Sequence, residues 1–392
     1  MIDKISVQDC ALCGACFNAC PVDAIRFSKA YLDFRYPEID ATRCVHCNQC
    51  EKACPILGDK SKPEDGYPIA FAAKSNDDSV RLRSSSGGAF YELASQMLRD
   101  GGYVCGAVFD ESFHVRHIVS NMQRDLVRMM GSKYAQSDVG YCYREIKEKL
   151  NAGEKVLFSG CPCQVAGLRT YLGKSYKDLL LVELICHGIP SDQMLQTYIR
   201  MQEKKYGAKL KRMEFRNKAK GWHNSAVRME FENGKIYTEP MTIDAFMQGY
   251  FRGISLKESC FSCQFRNFTS GSDLTIGDFW GAEIEMPNID DNKGLSAIIS
   301  NSQKGTAFLE KTLTACVPVK IDNILKYNQA LVRSFDIGTQ RAIFYKYVTA
   351  HSSEEAIEQF FQEKLFQKIK RKGRFALRCI WHAIRGKGKP LY

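Results

Sequence analysis

The hydrophobic and polar positions after residue 68 alternate between short apolar runs and longer segments with helical periodicity. The short apolar runs predict strands at Ile69–Lys74, Tyr103–Phe109, Val115–Val119, Lys155–Ser159, Leu179–Cys186, Asp273–Phe279 and Ala297–Ser300. The segments with a 3.6-residue period predict helices over residues 88–99, 124–130, 139–150, 163–172, 192–206, 243–251 and 306–314. Strands that alternate with helices are typical of an α/β layer.

Other segments depart from this alternation. Residues 210–240 have the pattern of antiparallel strands around the hairpin turn 232–235, Glu-Asn-Gly-Lys. Residues 58–68 are rich in Gly, Pro and charge, which predicts a linker. The predicted fold class is therefore α+β / α/β, with a small N-terminal domain at 1–57, a larger mixed α/β domain at 69–345 and a helical tail at 346–392.

The N-terminal domain contains two near-copies of one cysteine pattern, C-x-x-C-x-x-C-x-x-x-C-P. Three thiolates from such a loop bind one 4Fe–4S cluster, and the fourth cysteine binds the other cluster. The spacing therefore predicts a dicluster ferredoxin domain with two ligand sets. The first set is Cys10, Cys13, Cys16 and Cys54, and the second is Cys44, Cys47, Cys50 and Cys20.

Zinc and disulfides are the alternatives for these cysteines. Zinc sites usually take separated pairs of ligands rather than a run of three. Disulfides need an oxidising compartment, and the first cysteine at residue 10 leaves no room for a signal peptide. We therefore expect the protein in the reducing cytoplasm of an anaerobe or facultative anaerobe.

The charge is concentrated at one end of the chain. Of 55 Lys and Arg residues, ten lie within 364–392, a segment without Asp or Glu, and the other 45 face 44 acidic residues. Arginines there interleave with apolar residues such as Trp381, so the tail is a candidate for peripheral contact with the inner face of an anionic membrane. A solvated helix, or one that packs on an acidic partner, is the alternative. A nucleic-acid partner is not expected, because the body is nearly neutral, and no apolar run reaches the roughly 18 residues of a membrane span.

A third set of four cysteines is predicted in the larger domain. Cys163 and Cys186 follow predicted buried strands, where the loops of an open α/β sheet gather ligands, and Cys260 and Cys263 form a C-x-x-C. Cys161 competes with Cys163, which is preferred because it would open a helix whose N-terminus favours negative charge. The alternative is that Cys163 and Cys186 are structural and that the C-x-x-C binds zinc or nothing.

Two small-residue turns could hold phosphate groups. Ser85, Ser86, Gly87 and Gly88 directly precede a predicted helix, so that backbone N–H groups converge there. The second turn contains Ser132, Lys133 and Tyr134, which add a cation and an aromatic ring. Plain helix caps are the alternative, since neither turn matches a nucleotide-binding motif.

Several segments together resemble the coenzyme F420 hydrogenase/dehydrogenase beta-subunit family. They are SSSGGAF (84–90), GSKYAQSD (131–138), SGCPCQVAGL (159–168), ELICHGIPS (183–191), FRNKAKGW (215–222), ESCFSCQF (258–265) and SDLTIGDFWG (272–281). The resemblance covers about residues 69–345. It implies an FAD beside a third 4Fe–4S cluster, with Cys163, Cys186, Cys260 and Cys263 as ligands and the two small-residue turns as FAD contacts. It leaves the second substrate open, including a role in a polysaccharide-related pathway.

Clusters and flavin together predict an oxidoreductase that connects a hydride-exchanging small molecule to single-electron carriers. A redox partner protein or ferredoxin is expected. His187 and His223 are candidate acids, although a histidine beside a cluster ligand can instead tune the cluster by hydrogen bonding. The competing hypothesis is an electron-transfer subunit with no substrate of its own, docked on a separate catalytic protein.

Overall fold

The computed structural model describes residues 2–58, 68–312 and 315–361. Its strands are β1 (Ile25–Tyr31), β2 (Phe34–Ile39), β3 (Ile69–Ala73), β4 (Tyr103–Phe109), β5 (Val115–Ser120), β6 (Val156–Gly160), β7 (Leu179–Leu184), β8 (Leu210–Asn217), β9 (Ala226–Phe231), β10 (Ile236–Pro240), β11 (Leu274–Asp278), β12 (Ser296–Ser300) and β13 (Cys316–Val319). Its helices are α1 (Ala15–Ala19), α2 (Gln49–Lys52), α3 (Asp78–Arg83), α4 (Ala89–Arg99), α5 (Gln123–Met129), α6 (Cys142–Asn151), α7 (Pro162–Leu172), α8 (Asp192–Tyr206), α9 (Ala245–Phe251), α10 (Ala282–Glu285), α11 (Gln303–Thr312), α12 (Ile321–Leu325), α13 (Thr339–Ala350) and α14 (Ser353–Phe361).

The chain forms two compact units. The first contains residues 2–193 and 256–337, and the second contains residues 194–255 and the described residues from 338 onward. None of the described helices is both long and apolar enough to cross a membrane. The division into domains predicted from the sequence follows other boundaries and stays a prediction.

An eight-stranded mixed sheet organises the first unit, in the order β13-β3-β12-β11-β7-β6-β4-β5. The four strands β11, β7, β6 and β4 are mutually parallel, so their carboxyl ends share one edge. Most residues of these strands are apolar and buried, as expected of parallel strands that are covered on both faces. The mixed α/β fold class predicted from the sequence is confirmed.

Alternate residues of β6 show how the two faces are covered. Leu157 packs with residues of α4 and α5, such as Leu93 and Leu126. Val156 and Phe158 point to the other face and pack with residues of α6 and α7. All five residues of β6 are buried, and the loop that follows this strand leads into α7 at the shared edge.

The N-terminal cysteine-rich segment packs on α6 and α7 through its backbone. Arg144 of α6 donates to the carbonyl oxygen of Asn18 at 2.8 Å and to that of Cys20 at 2.7 Å. Thr170 of α7 donates to the carbonyl oxygen of Ala53 at 2.6 Å. These side chains of α6 and α7 satisfy backbone carbonyl groups of the N-terminal segment that would otherwise lack a hydrogen-bond donor.

The second unit combines the antiparallel sheet β10-β9-β8 with helices from both ends of its sequence. A buried carboxylate organises it: Asp244 caps α9 by accepting from the backbone N–H of Met247 at 2.9 Å, and it also accepts from the hydroxyls of Tyr198 and Tyr237. The hairpin predicted at residues 232–235 joins β9 and β10.

Some boundaries differ from the sequence predictions. The strand expected at Leu179–Cys186 ends at Leu184, and the helix expected over 139–150 begins at Cys142. Strand β13, which contains Pro318 at the sheet edge, was not predicted. The basic segment 364–392, and with it the membrane contact expected of the tail, lies outside the described residues.

Candidate metal centres

Four cysteines from both cysteine runs line one cavity, here called the inner pocket. Its volume is about 330 Å³, and the four cysteines are Cys10, Cys13, Cys16 and Cys54. All four are buried. The loop between them turns sharply through the left-handed conformations of Leu12 (φ 56°) and Gly14 (φ 81°), which lets three thiols from consecutive turns face one space.

The other four N-terminal cysteines line a second cavity of about 330 Å³, here called the outer pocket. They are Cys20, Cys44, Cys47 and Cys50. Cys20 leaves its own run at the end of α1 and joins the second run, just as Cys54 leaves the second run for the first. The structure therefore groups the eight cysteines as the spacing predicts, with the fourth cysteine of each run in the pocket of the other run.

A third cavity, here called the main pocket, lies where the parallel strands end. Its volume is about 700 Å³, and Cys163, Cys186, Cys260 and Cys263 all line it. Cys163 stands in the first turn of α7, and Cys186 follows β7 by two residues. Ala11 and Ile56 line both the inner and the main pocket, so these two residues form a wall that the two cavities share.

Cys161, the competitor of Cys163, is the N-cap residue of α7. Its backbone N–H donates to the side chain of Gln164 at 3.0 Å, and its thiol lies beside the thiol of Cys186. That contact holds the pKa of Cys186 down at about 7. Five cysteines therefore cluster at this edge. Four of them, including Cys163, line the cavity, and Cys161 does not.

The electrostatics of the pockets suit a positively charged inorganic core. Burial raises the pKa of Cys10 to about 11, of Cys13 to about 12 and of Cys260 to about 11. Four buried thiolates would repel one another unless a metal core took the place of their protons. The donor set, its burial and its grouping into fours fit 4Fe–4S clusters.

The two turns predicted to contact a flavin meet each other. Ser85 accepts a hydrogen bond from the backbone N–H of Ser132 at 2.7 Å, and the two hydroxyls lie 2.8 Å apart. Gly88 caps α4 with φ 96°, a conformation that favours glycine. Gly87 donates to the Ser296 hydroxyl at 2.9 Å, and an added Cβ at Gly87 would lie 2.5 Å from the carbonyl oxygen of Ala73.

Lys133 makes different contacts from those expected of a phosphate ligand. Its ammonium donates to the carbonyl oxygens of Met129, Met130 and Gly131 at 3.1, 2.9 and 3.0 Å, and so caps the end of α5. Burial lowers the pKa of Lys133 to about 7. Tyr134 is half-buried in the same turn.

Comparison with known proteins gives two matched domains. Residues 9–56 match the 4Fe-4S dicluster domain, and residues 153–320 match the C-terminal domain of the coenzyme F420 hydrogenase/dehydrogenase beta subunit. The resemblance seen in the sequence is confirmed, and the chain is an iron–sulfur protein related to oxidoreductase subunits.

Two known proteins are similar to parts of this chain. An F(420)H(2) dehydrogenase subunit from Methanosarcina mazei is 26% identical over 245 residues, which are 59% of this chain and 67% of the relative. A chain of the F420-reducing NiFe hydrogenase complex from Methanosarcina barkeri, solved as a xenon derivative, has a TM-score of 0.45 and 17% identity. That match covers 84% of this chain and 97% of the other.

The two candidate histidines of this chain lie in different units. His187 is half-buried between two residues that line the main pocket, and its ring lies 6.3 Å from that of Phe335. His223 belongs to the second unit, where its ring lies 4.9 Å from that of Trp222. Their roles as acids stay predictions.

Sequence reasoning missed the charged residues of the main pocket, among them Lys257 and Glu183. Lys257 is 1% exposed, and Glu183 is 2% exposed and accepts from the Thr275 hydroxyl at 2.7 Å. Burial raises the pKa of Glu183 to about 6. Lys257 lies three residues before Cys260 in the LKESCFSC segment, a proximity that could have singled it out.

Proposed function

We propose that this protein is an iron–sulfur flavoprotein oxidoreductase that connects a hydride-exchanging substrate to single-electron carriers. The main support for this proposal is that twelve cysteines line three cavities in groups of four, and that two of these cavities share a wall. Three 4Fe–4S clusters are the cofactors that such a set would hold.

The cavities form a series that supports a path for electrons. The main pocket and the inner pocket share Ala11 and Ile56, and both pockets are lined by buried cysteines. The outer pocket is lined by the exposed Cys47. Electrons would therefore enter or leave at the outer pocket, where a redox partner protein or ferredoxin could approach.

The candidate flavin turns support a site at the far end of this series. Ser86 donates to the carbonyl oxygen of Leu295 at 2.6 Å and lies 3.4 Å from that of Gly277 in β11. Ile185, next to Cys186, packs so closely on Gly277 that an added Cβ there would lie 2.6 Å from it. A bound FAD would exchange a hydride, that is two electrons and a proton, with the substrate and pass the electrons singly to the clusters.

Within this proposal the chain's own residues have separate tasks. The Ser85–Ser132 pair and the N-terminus of α4 would bind phosphate oxygens. Lys133 would act through the carbonyls that it holds, as a positioning residue of the turn. His187, beside Cys186, is the candidate proton donor of the first unit, and His223 is that of the second.

A second candidate function is an electron-transfer subunit without its own substrate. It is favoured by the name of the relative from Methanosarcina mazei, which is one subunit of a dehydrogenase. A permanent protein partner would fit both candidates. The polysaccharide-related role and membrane contact through the tail remain predictions.

Anaerobic reconstitution with iron, sulfide and FAD, followed by metal, sulfide and flavin analysis, tests the proposal. We expect about twelve irons per chain, four for each cluster, and one flavin. Twelve irons without flavin, and without dye-linked reductase activity, would leave the electron-transfer subunit as the function. A colourless protein, or one that holds only zinc, would contradict both.

A further inference from the structure

A buried ammonium lies between two of the three cysteine pockets. Lys257 is 1% exposed, and its Nζ donates to the carbonyl oxygen of Ala11 and, at 2.9 Å, to the side-chain oxygen of Gln136. Ala11 stands between Cys10 and Cys13 in the inner pocket's loop, and it also lines the main pocket. The cation is therefore fixed at the shared wall.

The backbone around Lys257 is held on both sides. Its N–H donates to the carbonyl oxygen of Ile189 at 2.9 Å, and Ser259 donates to the carbonyl oxygen of Cys10 at 3.0 Å. The segment thus joins the loop that carries Cys260 and Cys263 to the loop that carries Cys10. Because the backbone on both sides of Lys257 is held by hydrogen bonds, the ammonium has a fixed position.

The charged groups around the ammonium belong to both pockets. The Lys257 ammonium has two oxygen acceptors, the carbonyl oxygen of Ala11 and the side-chain oxygen of Gln136, as expected of a charged group that is buried. Lys257 lines the main pocket together with Cys163, Cys260 and Cys263. Its ammonium contacts Ala11, which lines the inner pocket together with Cys10 and Cys13. One cation thus faces two sets of thiolates.

We infer that Lys257 is a shared electrostatic positioning residue, which raises the reduction potentials of the clusters in the inner and main pockets together. A reduced cluster carries one more negative charge than an oxidised one, so a nearby buried cation favours the reduced form. Because the same charge acts on both clusters, it keeps their potentials matched for transfer across the shared wall. This inference rests on the cluster binding proposed above.

The outer pocket provides an internal control. Among the described residues, its lining has no member in common with the lining of the main pocket or of the inner pocket. Removal of the Lys257 charge should therefore change two of three potentials. A residue that merely stabilised the fold would alter iron content or change all three potentials alike.

The test is an anaerobic potentiometric titration, followed by electron paramagnetic resonance, on the reconstituted full chain. Lys257→Met removes the charge at similar volume, and Gln136→Glu leaves the lysine but places a carboxylate beside it. Lys311→Met, which removes an ammonium paired with Asp100 at 2.6 Å, is the matched control. Signals are assigned to the pockets by comparison with Cys54→Ala and Cys20→Ala proteins.

We expect both charge variants to lower the midpoint potentials of the inner and main clusters, with the smaller shift in Gln136→Glu. The outer cluster and the Lys311→Met protein should keep wild-type potentials. Unchanged potentials in a fully loaded Gln136→Glu protein, or equal shifts of all three clusters, would overturn the inference even if Lys257→Met failed to load. A wild-type protein without clusters would instead overturn the proposed function.

Discussion

The inner and outer pockets are built from the same cysteine pattern, yet they differ in how they are enclosed. The inner cysteines are all buried, and the carbonyl oxygen of Cys13 accepts from Tyr143 of α6 at 2.8 Å. The outer loop exposes Cys47 and 59% of Val45. The shared cysteine spacing therefore sets the cysteine geometry, whereas the surrounding domain decides which cluster can meet solvent or a partner.

The largest effect should come from the two exchanged cysteines. Cys54→Ala should remove the inner cluster although Cys44, Cys47 and Cys50 of its own run remain, and Cys20→Ala should remove the outer one. Each variant should lose about four of twelve irons, as measured by iron analysis with electron paramagnetic resonance. If Cys54→Ala removed the outer signal instead, each run would bind its own cluster.

The cysteine pockets could be predicted because their information is local. The spacing of Cys10, Cys13 and Cys16 fixes three ligands within one loop, and the fourth follows from the helix after it. The third set could be located because Cys163 and Cys186 follow the ends of neighbouring parallel strands. Cys260 and Cys263 come from a distant part of the chain, so the residues alone left open that this pair binds zinc or nothing, and the resemblance to a family favoured the set of four.

Other features depend on contacts that no local pattern carries. Nothing in the sequence around Lys257 reveals that its ammonium reaches Ala11, 246 positions away. Lys133 suggested a phosphate ligand, but three nearby carbonyls compete for its ammonium. Strand β13 is short and contains proline, which is tolerated there because the strand lies at an edge.

A buried histidine, His117, should make the free energy of unfolding of this protein sensitive to acid. The Nε2–H of His117 faces the carbonyl oxygen of Ser159 at 3.1 Å, and its Nδ1 lies 3.0 Å from the Ser137 hydroxyl, which accepts from Gln164. Burial lowers the pKa of His117 to about 4. Its unfolded pKa is about 6.5, so its contribution is complete above that pH and is lost as the pH falls toward 4.

This loss should amount to about 3 kcal/mol of the free energy of unfolding. Anaerobic urea denaturation of the loaded protein between pH 7 and 4 measures it, and His117→Gln should flatten the dependence. His46→Gln, in the exposed outer loop, is the control. An equally steep dependence in His117→Gln would assign the acid sensitivity to other groups.

The close packing of α7 on the inner pocket should depend on a glycine. An added Cβ at Gly167 would lie 2.8 Å from the sulfur of Cys13 and 2.9 Å from its Cβ. Gly167→Ala should therefore lower stability by about 1–2 kcal/mol and loosen the inner cluster before the outer one. Gly338→Ala, where a Cβ meets nothing within 4 Å, should change neither quantity. Equal effects of the two substitutions would argue against this contact.

The smallest expected effect is a difference in the rate at which the two N-terminal clusters lose iron. A chelator can approach the outer cluster through the exposed loop around Cys47, whereas the inner cluster becomes accessible only when the packing on α6 and α7 opens. We expect the outer signal to decay severalfold faster when an iron chelator is added anaerobically. Tyr143→Phe removes the hydroxyl that donates to Cys13 and Gln164, so it should narrow this difference by speeding inner loss alone. Faster loss from the inner pocket in the wild-type protein would contradict the order of enclosure on which the proposed electron path depends.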